Sequence, residues 1–435
     1  MVSCQTLSFF NDDKIQSLFP KGYDLLLGTD QIYELELALG EAENLTDEEL
    51  VKRAAYFWRI NGEETYHYKV CAVAPIQVDK TASIRRRTFF EANLFKTGYA
   101  THGLFPYRGK FHPQMIKAIM NIIGLKKGDV VLDPMVGSGT TCIEASIIGL
   151  DSIGIEKSPF CCLMSEAKAF GLTADTTKLK SYYEQAESIV SHFHSERVGE
   201  SLTDFSEERS DTHTDSPFDK HDGKYEKLFK LCYLDAMGYA RRRKKKTVKE
   251  LFPVVLERYV QAIENFARMR KELKLEIGHA NIQEGDACNL KGIDDDSIDG
   301  IVYSPPYSFA IDYLANDKPQ LEYMNIDVEK LKDSMIGLRG KSLEERVNNY
   351  FEDMDKVMYQ NSRVLRSGKY CVTVVGTNSN QLRAVLGKDE GIRIERKLVE
   401  LAEKHGLRFT KQLIHPIQGI RNMLRDEYIL FFRKD

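Results

Sequence analysis

Ser304, Pro305, Pro306 and Tyr307 stand in a row at the end of a β-branched run, and that order of residue types suits one chemistry. Two prolines fix φ and remove two N–H donors, leaving carbonyl oxygens to face a ligand. A hydroxyl and a carbonyl as acceptors, with an aromatic ring beside them, fit a planar group that carries an exocyclic amine. Ser304 and the carbonyl of Pro305 would accept from the amine, and Tyr307 would stack on the ring. Such an amine is a poor nucleophile because its lone pair is delocalised into the ring. Orientation and hydrogen bonding toward a pyramidal form therefore matter more than a strong base.

A second string, Asp133-Pro134-Met135-Val136-Gly137-Ser138-Gly139-Thr140, follows another β-branched run. Its glycines make a sharp strand-to-helix turn in which the backbone can approach a ligand closely. Asp133 is anionic and the loop lacks the Gly-Lys-Ser/Thr ending of a triphosphate loop, which points to a neutral or cationic ligand. Glu156 ends the next strand, where a carboxylate can accept from both hydroxyls of a ribose. Asp286, with Ala287 behind it, follows the strand after that, placed to accept from an adenine amino group. Taken alone, either carboxylate reads equally as a helix cap or a surface acid.

Elements must deliver these strings to one place. Helix 113–123, strand DVVLD, helix 140–149, strand SIGIE and helix 160–171 alternate as a parallel sheet with right-handed crossovers requires. The alternation resumes at 280 with NIQEGD, GIVYSPPY, KYCVTVVG, a helix over 393–405 and two closing strands read as an antiparallel hairpin. The chain divides into an N-terminal α+β domain (1–95), a cofactor half (96–175), an insert (176–278) and a catalytic half (279–435). In the N-terminal part, residues 46–60 read as an amphipathic helix capped by Thr46. Within the insert, the polar, acidic stretch 199–222 reads as a mobile loop, and a long helix is expected over 253–273.

A net charge of −4 over 435 residues gives no global attraction to nucleic acid, so such a partner must meet a local basic face. Candidates are Arg85, Arg86 and Arg87 beside two phenylalanines, the run Arg241, Arg242, Arg243 and Lys244 continued by two lysines, and Arg421 with Arg425. A solvated face is the alternative for each run. None of the eight cysteines pairs in a Cys-x-x-Cys spacing, so no metal is expected and the thiols suit a reducing compartment. No apolar run approaches the ~20 residues of a membrane span, and a cytoplasmic protein is the expectation.

The loop, the ribose acid and the adenine acid on three successive strand ends resemble the S-adenosyl-L-methionine site of the Rossmann-like methyltransferases. Residues 100–171 and 280–435 resemble more narrowly the amino-methylating (cytosine-N4 and adenine-N6) DNA methyltransferases, whose signature is Asp, Asn or Ser, then Pro-Pro, then an aromatic residue. The stretch from His102 to Gln114, with Tyr107, Lys110 and Phe111, is similar to the segment that holds the methionine part of the donor in that family. The resemblance implies a doubly wound Rossmann-like α/β sheet with a C-terminal antiparallel hairpin, plus the N-terminal α+β domain and a helical insert. It implies S-adenosyl-L-methionine as cofactor and methylation of a nucleobase amine, cytosine N4 in DNA being favoured by Ser304. RNA base methyltransferases share this architecture and are the alternative; an inactive nucleic-acid-binding scaffold is the third reading.

Overall fold

The computed structural model describes residues 15–73, 98–107, 112–201, 216–242, 246–306, 313–376, 393–416 and 426–435. A seven-stranded sheet occupies its centre. β4 (Val130–Asp133), β5 (Asp151–Glu156), β6 (Ala280–Glu284), β7 (Ile298–Tyr303) and β8 (Leu365–Gly376) run parallel, and β9 (Leu407–Pro416) with β10 (Asp426–Lys434) forms the antiparallel hairpin. Their spatial order is β6-β5-β4-β7-β8-β10-β9. The order reverses between β4 and β7, and a doubly wound sheet opens a ligand crevice beyond the strand ends at such a point.

The strands hold because both faces are covered. Val131, Val302, Val372, Val374, Ile429 and Phe431 enter one core, whereas Leu132, Ile301, Tyr303, Cys371, Leu430 and Phe432 enter another. Neighbouring residues thus alternate between faces, as the pleat demands, and every residue of β7 is buried. Helices α5 (Thr140–Ile147) and α6 (Pro159–Gly171) cross between strands, and α13 (Leu343–Val364) with α14 (Ile394–Lys404) lines the second core.

Ahead of the sheet, β1 (Tyr23–Leu25), β2 (Phe57–Ile60) and β3 (Glu63–Glu64) form a small antiparallel sheet beside α1 (Ile32–Asn44), α2 (Asp47–Arg53) and α3 (Tyr66–Ala72). The single helix expected over 46–60 is corrected here. Thr46 does cap a helix, in a reciprocal bond with Glu49, but that helix stops at Arg53, and the aromatic and β-branched Phe57–Ile60 pairs with Tyr23–Leu25 instead. Glu41 of α1 is fully buried and accepts from the amides of Ala55 (2.9 Å) and Tyr56 (3.3 Å) and from Nδ2 of Asn121 (2.7 Å) on α4 (Pro113–Ile122). Leu37, Ala38 and Phe57 share one apolar core with Met115, Ile119 and Val302.

Between β5 and β6 come α7 (Thr176–Tyr183), α8 (Ala186–Ser201), α9 (Gly223–Arg242) and α10 (Val248–Glu272). The long helix starts five residues earlier than expected, because Thr247 and Glu250 form a capping box and Pro253 is tolerated inside the helix near its start. Phe193, Phe229, Tyr233 and Phe252 of these helices pack with Phe160 of α6 and with Leu314 and Leu321 of α11 (Tyr313–Tyr323). Most of the stretch read as a mobile loop, 202–215, lies outside the described residues. The described cysteines are free thiols, and no described helix is long and apolar enough to cross a membrane.

Candidate active site

Asp133 closes β4 fully buried; its Oδ1 accepts from the amide of Met135 at 3.0 Å, and its Oδ2 has no hydrogen-bond partner among the described residues. Burial pushes this carboxyl up to about 7. Gly137 lies at φ 50° and Gly139 at φ 86°, both in the left-handed region, and a Cβ on Gly139 would sit 2.9 Å from Cβ of Ser165. The turn therefore needs its glycines. From Gly139 the chain enters α5 at Thr140, whose hydroxyl lies 3.4 Å from that of Ser138.

Glu156 ends β5 next to this loop. Its Oε2 accepts from the amide of Gly137 at 2.8 Å, and its Oε1 accepts from the amides of Lys157 and Ser158 at 2.9 Å each. Burial nevertheless raises its pKa. Asp286, two residues beyond β6, accepts from the amide of Cys288 at 2.9 Å and pairs with Lys157 at 3.2 Å. Burial works against ionisation there, but that amide and Lys157 together hold the carboxyl below its usual value.

Ser304, Pro305 and Pro306 leave the end of β7, the neighbour of β4. One cavity gathers them with Pro134, Gly137, Ser138, Glu156, Asp286, Ala287 and Tyr107. The two strings, distant in the chain, thus face each other across the switch point. Tyr307, Lys110 and Phe111 lie outside the described residues.

Asp317 is the wall residue that motif reading passes over. It sits on α11, is buried, and its Oδ2 accepts from the Tyr107 hydroxyl at 3.1 Å. Burial pushes it up to about 7, aided by the nearby Glu156. No motif marks it; the available signal is an acidic residue soon after Ser-Pro-Pro-Tyr, on a helix that must pack over the strand ends.

The basic candidates divide. Arg241 and Arg242 end α9 exposed and line a second cavity adjoining the first. Arg85, Arg86, Arg87, Arg243, Lys244, Arg421 and Arg425 lie outside the described residues. His192, Glu196 and Glu226 bring ligand atoms within 4.8 Å of one another, but Glu196 already takes Lys230 at 3.3 Å and the Tyr323 hydroxyl at 3.2 Å. Among the histidines, His102 bonds Glu144 (2.6 Å) and His415 bonds Glu427 (2.8 Å), both as buried pairs.

Comparison with known proteins finds methyltransferases. The chain is 25% identical over 300 residues to the Type II methyltransferase M.BsoBI of Geobacillus stearothermophilus, covering 59% of this chain and 58% of that protein. It is 45% identical over 67 residues to the Type II methyltransferase M.MjaII of Methanocaldococcus jannaschii, covering 15% of this chain and 12% of that one. Over 52 residues it is 36% identical to a tRNA (guanine(10)-N2)-dimethyltransferase of Methanothermobacter thermautotrophicus, covering 12% and 16%. The chain spans less than two thirds of the length of each of these relatives. Residues 58–167, which hold the Asp133 loop and Glu156, match the N6/N4 methyltransferase family model, described as DNA methylase.

Proposed function

We propose that this chain transfers a methyl group from S-adenosylmethionine to the exocyclic amine of a nucleobase, N4 of cytosine in DNA. The observation that carries the reading is the single cavity in which Ser304, Pro305 and Pro306 meet the glycine loop, Glu156 and Asp286. A donor cradle without an amine clamp, or the reverse, would fit other chemistries; the two sharing one wall fit this one.

The donor of this family suits the residues present. Glu156 and Asp317 line the cavity, and Asp133, fully buried, precedes its glycine loop; carboxylates so placed suit a cation. S-adenosylmethionine, when bound, supplies an electrophilic methyl on a positively charged sulfur. Glu156 would accept from the ribose hydroxyls while the Gly137 amide holds its carboxylate in place, Asp286 with Ala287 would bound the adenine, and Asp133 with Tyr107 would hold the methionine end. On the acceptor side, Ser304 Oγ and the Pro305 carbonyl would accept from the amine and turn its lone pair toward the donor; Tyr307 would stack on the base. In a duplex the base must leave the stack to reach them. Arg241 and Arg242 would meet the strand's phosphates.

RNA is the second reading, favoured by the short likeness to a tRNA dimethyltransferase. Purified protein incubated with labelled donor, genomic DNA and total RNA separates the two. Label in DNA supports the proposal; label confined to RNA overturns its polymer.

A further inference from the structure

A second cavity adjoins the first where the end of α9 meets α11. Arg241, Arg242, Asn316 and Gln320 line it, and it shares Tyr107 and Asp317 with the cavity at the strand ends. Those two side chains are the wall between the two cavities.

Its chemistry is mixed in a specific way. Arg241 and Arg242 are exposed at the last turn of α9. Of the two carboxylates on its wall, Asp235 is buried against the guanidinium of Arg258, which pairs with it, and Asp317 accepts from the Tyr107 hydroxyl; among the described residues neither forms an ion pair with the two arginines. Gln320 supplies the independent observation. It is buried, and its Oε1 has no hydrogen-bond partner among the described residues. A buried acceptor left unpaired is costly, and an amide oxygen is satisfied only by a donor such as an N–H. Two guanidiniums call for a phosphate, and the orphaned oxygen calls for an amino group. A nucleotide carries both.

We infer that this cavity is a nucleotide subsite, in which Arg241 and Arg242 take a phosphate of the substrate strand and Gln320 Oε1 accepts from the amino group of a base beside the target. The inference rests on the nucleic-acid reading above and adds to it a position that senses a neighbouring nucleotide. Placing Asp317 in both walls puts that nucleotide next to the donor site.

The test uses the full chain saturated with S-adenosylhomocysteine and a fluorescent single-stranded DNA oligonucleotide, titrated over a range of salt. Arg241→Ala with Arg242→Ala should weaken the oligonucleotide about tenfold and lower the slope of log K against log salt by about one, the loss of roughly one phosphate contact. Gln320→Leu, which removes the orphaned acceptor and keeps the bulk, should weaken binding about threefold to tenfold with the slope unchanged. Both variants should keep the wild-type affinity for S-adenosylhomocysteine. Oligonucleotide binding that is absent in the wild type, or unchanged in both variants, overturns the inference. Titration with dCMP and dAMP separates the sources: monophosphates that bind tightly through Arg241 and Arg242 while the oligonucleotide fails to compete would make the occupant a free nucleotide and overturn the strand subsite. Binding that depends on these residues with no methyl reaching DNA or RNA would sink the methyl-transfer reading and leave the subsite standing. Methylated DNA with unaffected variants would sink the subsite alone.

Discussion

The amide of Gly137 donates to Glu156 Oε2 at 2.8 Å, so the turn after β4 and the turn after β5 are joined by one carboxylate. The other oxygen of that carboxylate holds the amides of Lys157 and Ser158, 2.9 Å away in each case. Glu156 thus braces the loop, and a ligand hydroxyl would meet a group already fixed in position.

Removing that brace should act on donor binding. Glu156→Ala is expected to weaken S-adenosylhomocysteine about 100-fold, or about 2.7 kcal/mol, and Glu156→Gln about tenfold, because an amide nitrogen cannot accept from a backbone N–H. Isothermal titration checks this; unchanged affinity in both variants would remove Glu156 from the donor site.

Ser304 should separate from it kinetically. Ser304→Ala takes one acceptor from the amine clamp and leaves the donor loop alone, so turnover should fall about 10- to 100-fold with donor affinity held within about twofold. Single-turnover kinetics beside donor titration make the distinction. Equal losses in both would place Ser304 among the donor contacts instead.

The buried carboxyls give a pH signature. Burial holds Asp133 and Asp317 at about 7, far above the usual carboxylate range. Between about pH 4 and pH 7 the folded, ligand-free chain keeps protons that the unfolded chain has released, so ligand-free stability should fall as pH rises through that window. Above it both are ionised and a cationic ligand gains. Asp317 is faced by Tyr107, Cys161 and Glu156, and Asp133 by Thr141, Cys142 and Glu156, with Lys157 already paired to Asp286. The rise in Tm on adding sinefungin, which carries a cationic amine at the sulfonium position, should therefore grow from about pH 5.5 to about pH 8.5 and exceed the change seen with neutral S-adenosylhomocysteine. A flat profile for both ligands contradicts this.

Much of the fold and half of the cavity could be read from residue order. Strand-ending Asp133 and Glu156, the glycines between them and the Ser-Pro-Pro that follows β7 are local signals, and the alternation of strands with helices fixes which ends are neighbours. Asp317 and Gln320 were not legible, since their role comes from α11 packing across to Tyr107 and to the end of α9, contacts between stretches far apart in the chain. Phe57–Ile60 was misread for a related reason. Its partner, Tyr23–Leu25, decides that it is a strand, and no nearby residue announces it.

The buried Glu41 offers a stability test away from the cavity. It accepts from the amides of Ala55 and Tyr56 while binding Asn121, and burial pushes it up to about 7. Glu41→Ala would strand the two amides in the core and should cost about 3 kcal/mol, while Glu41→Gln, which keeps one acceptor, should cost about half as much. Urea denaturation of both variants measures the difference; equal and small losses would mean that water replaces the carboxylate.

The central claim is that the Ser304 clamp presents a cytosine amine to the donor. Digesting methylated DNA to nucleosides and identifying the modified one by mass spectrometry tests it most directly. The account predicts N4-methylcytosine in the product of the wild-type chain and its loss in Ser304→Ala. N6-methyladenine as the product, or a methyl on cytosine C5, would contradict it.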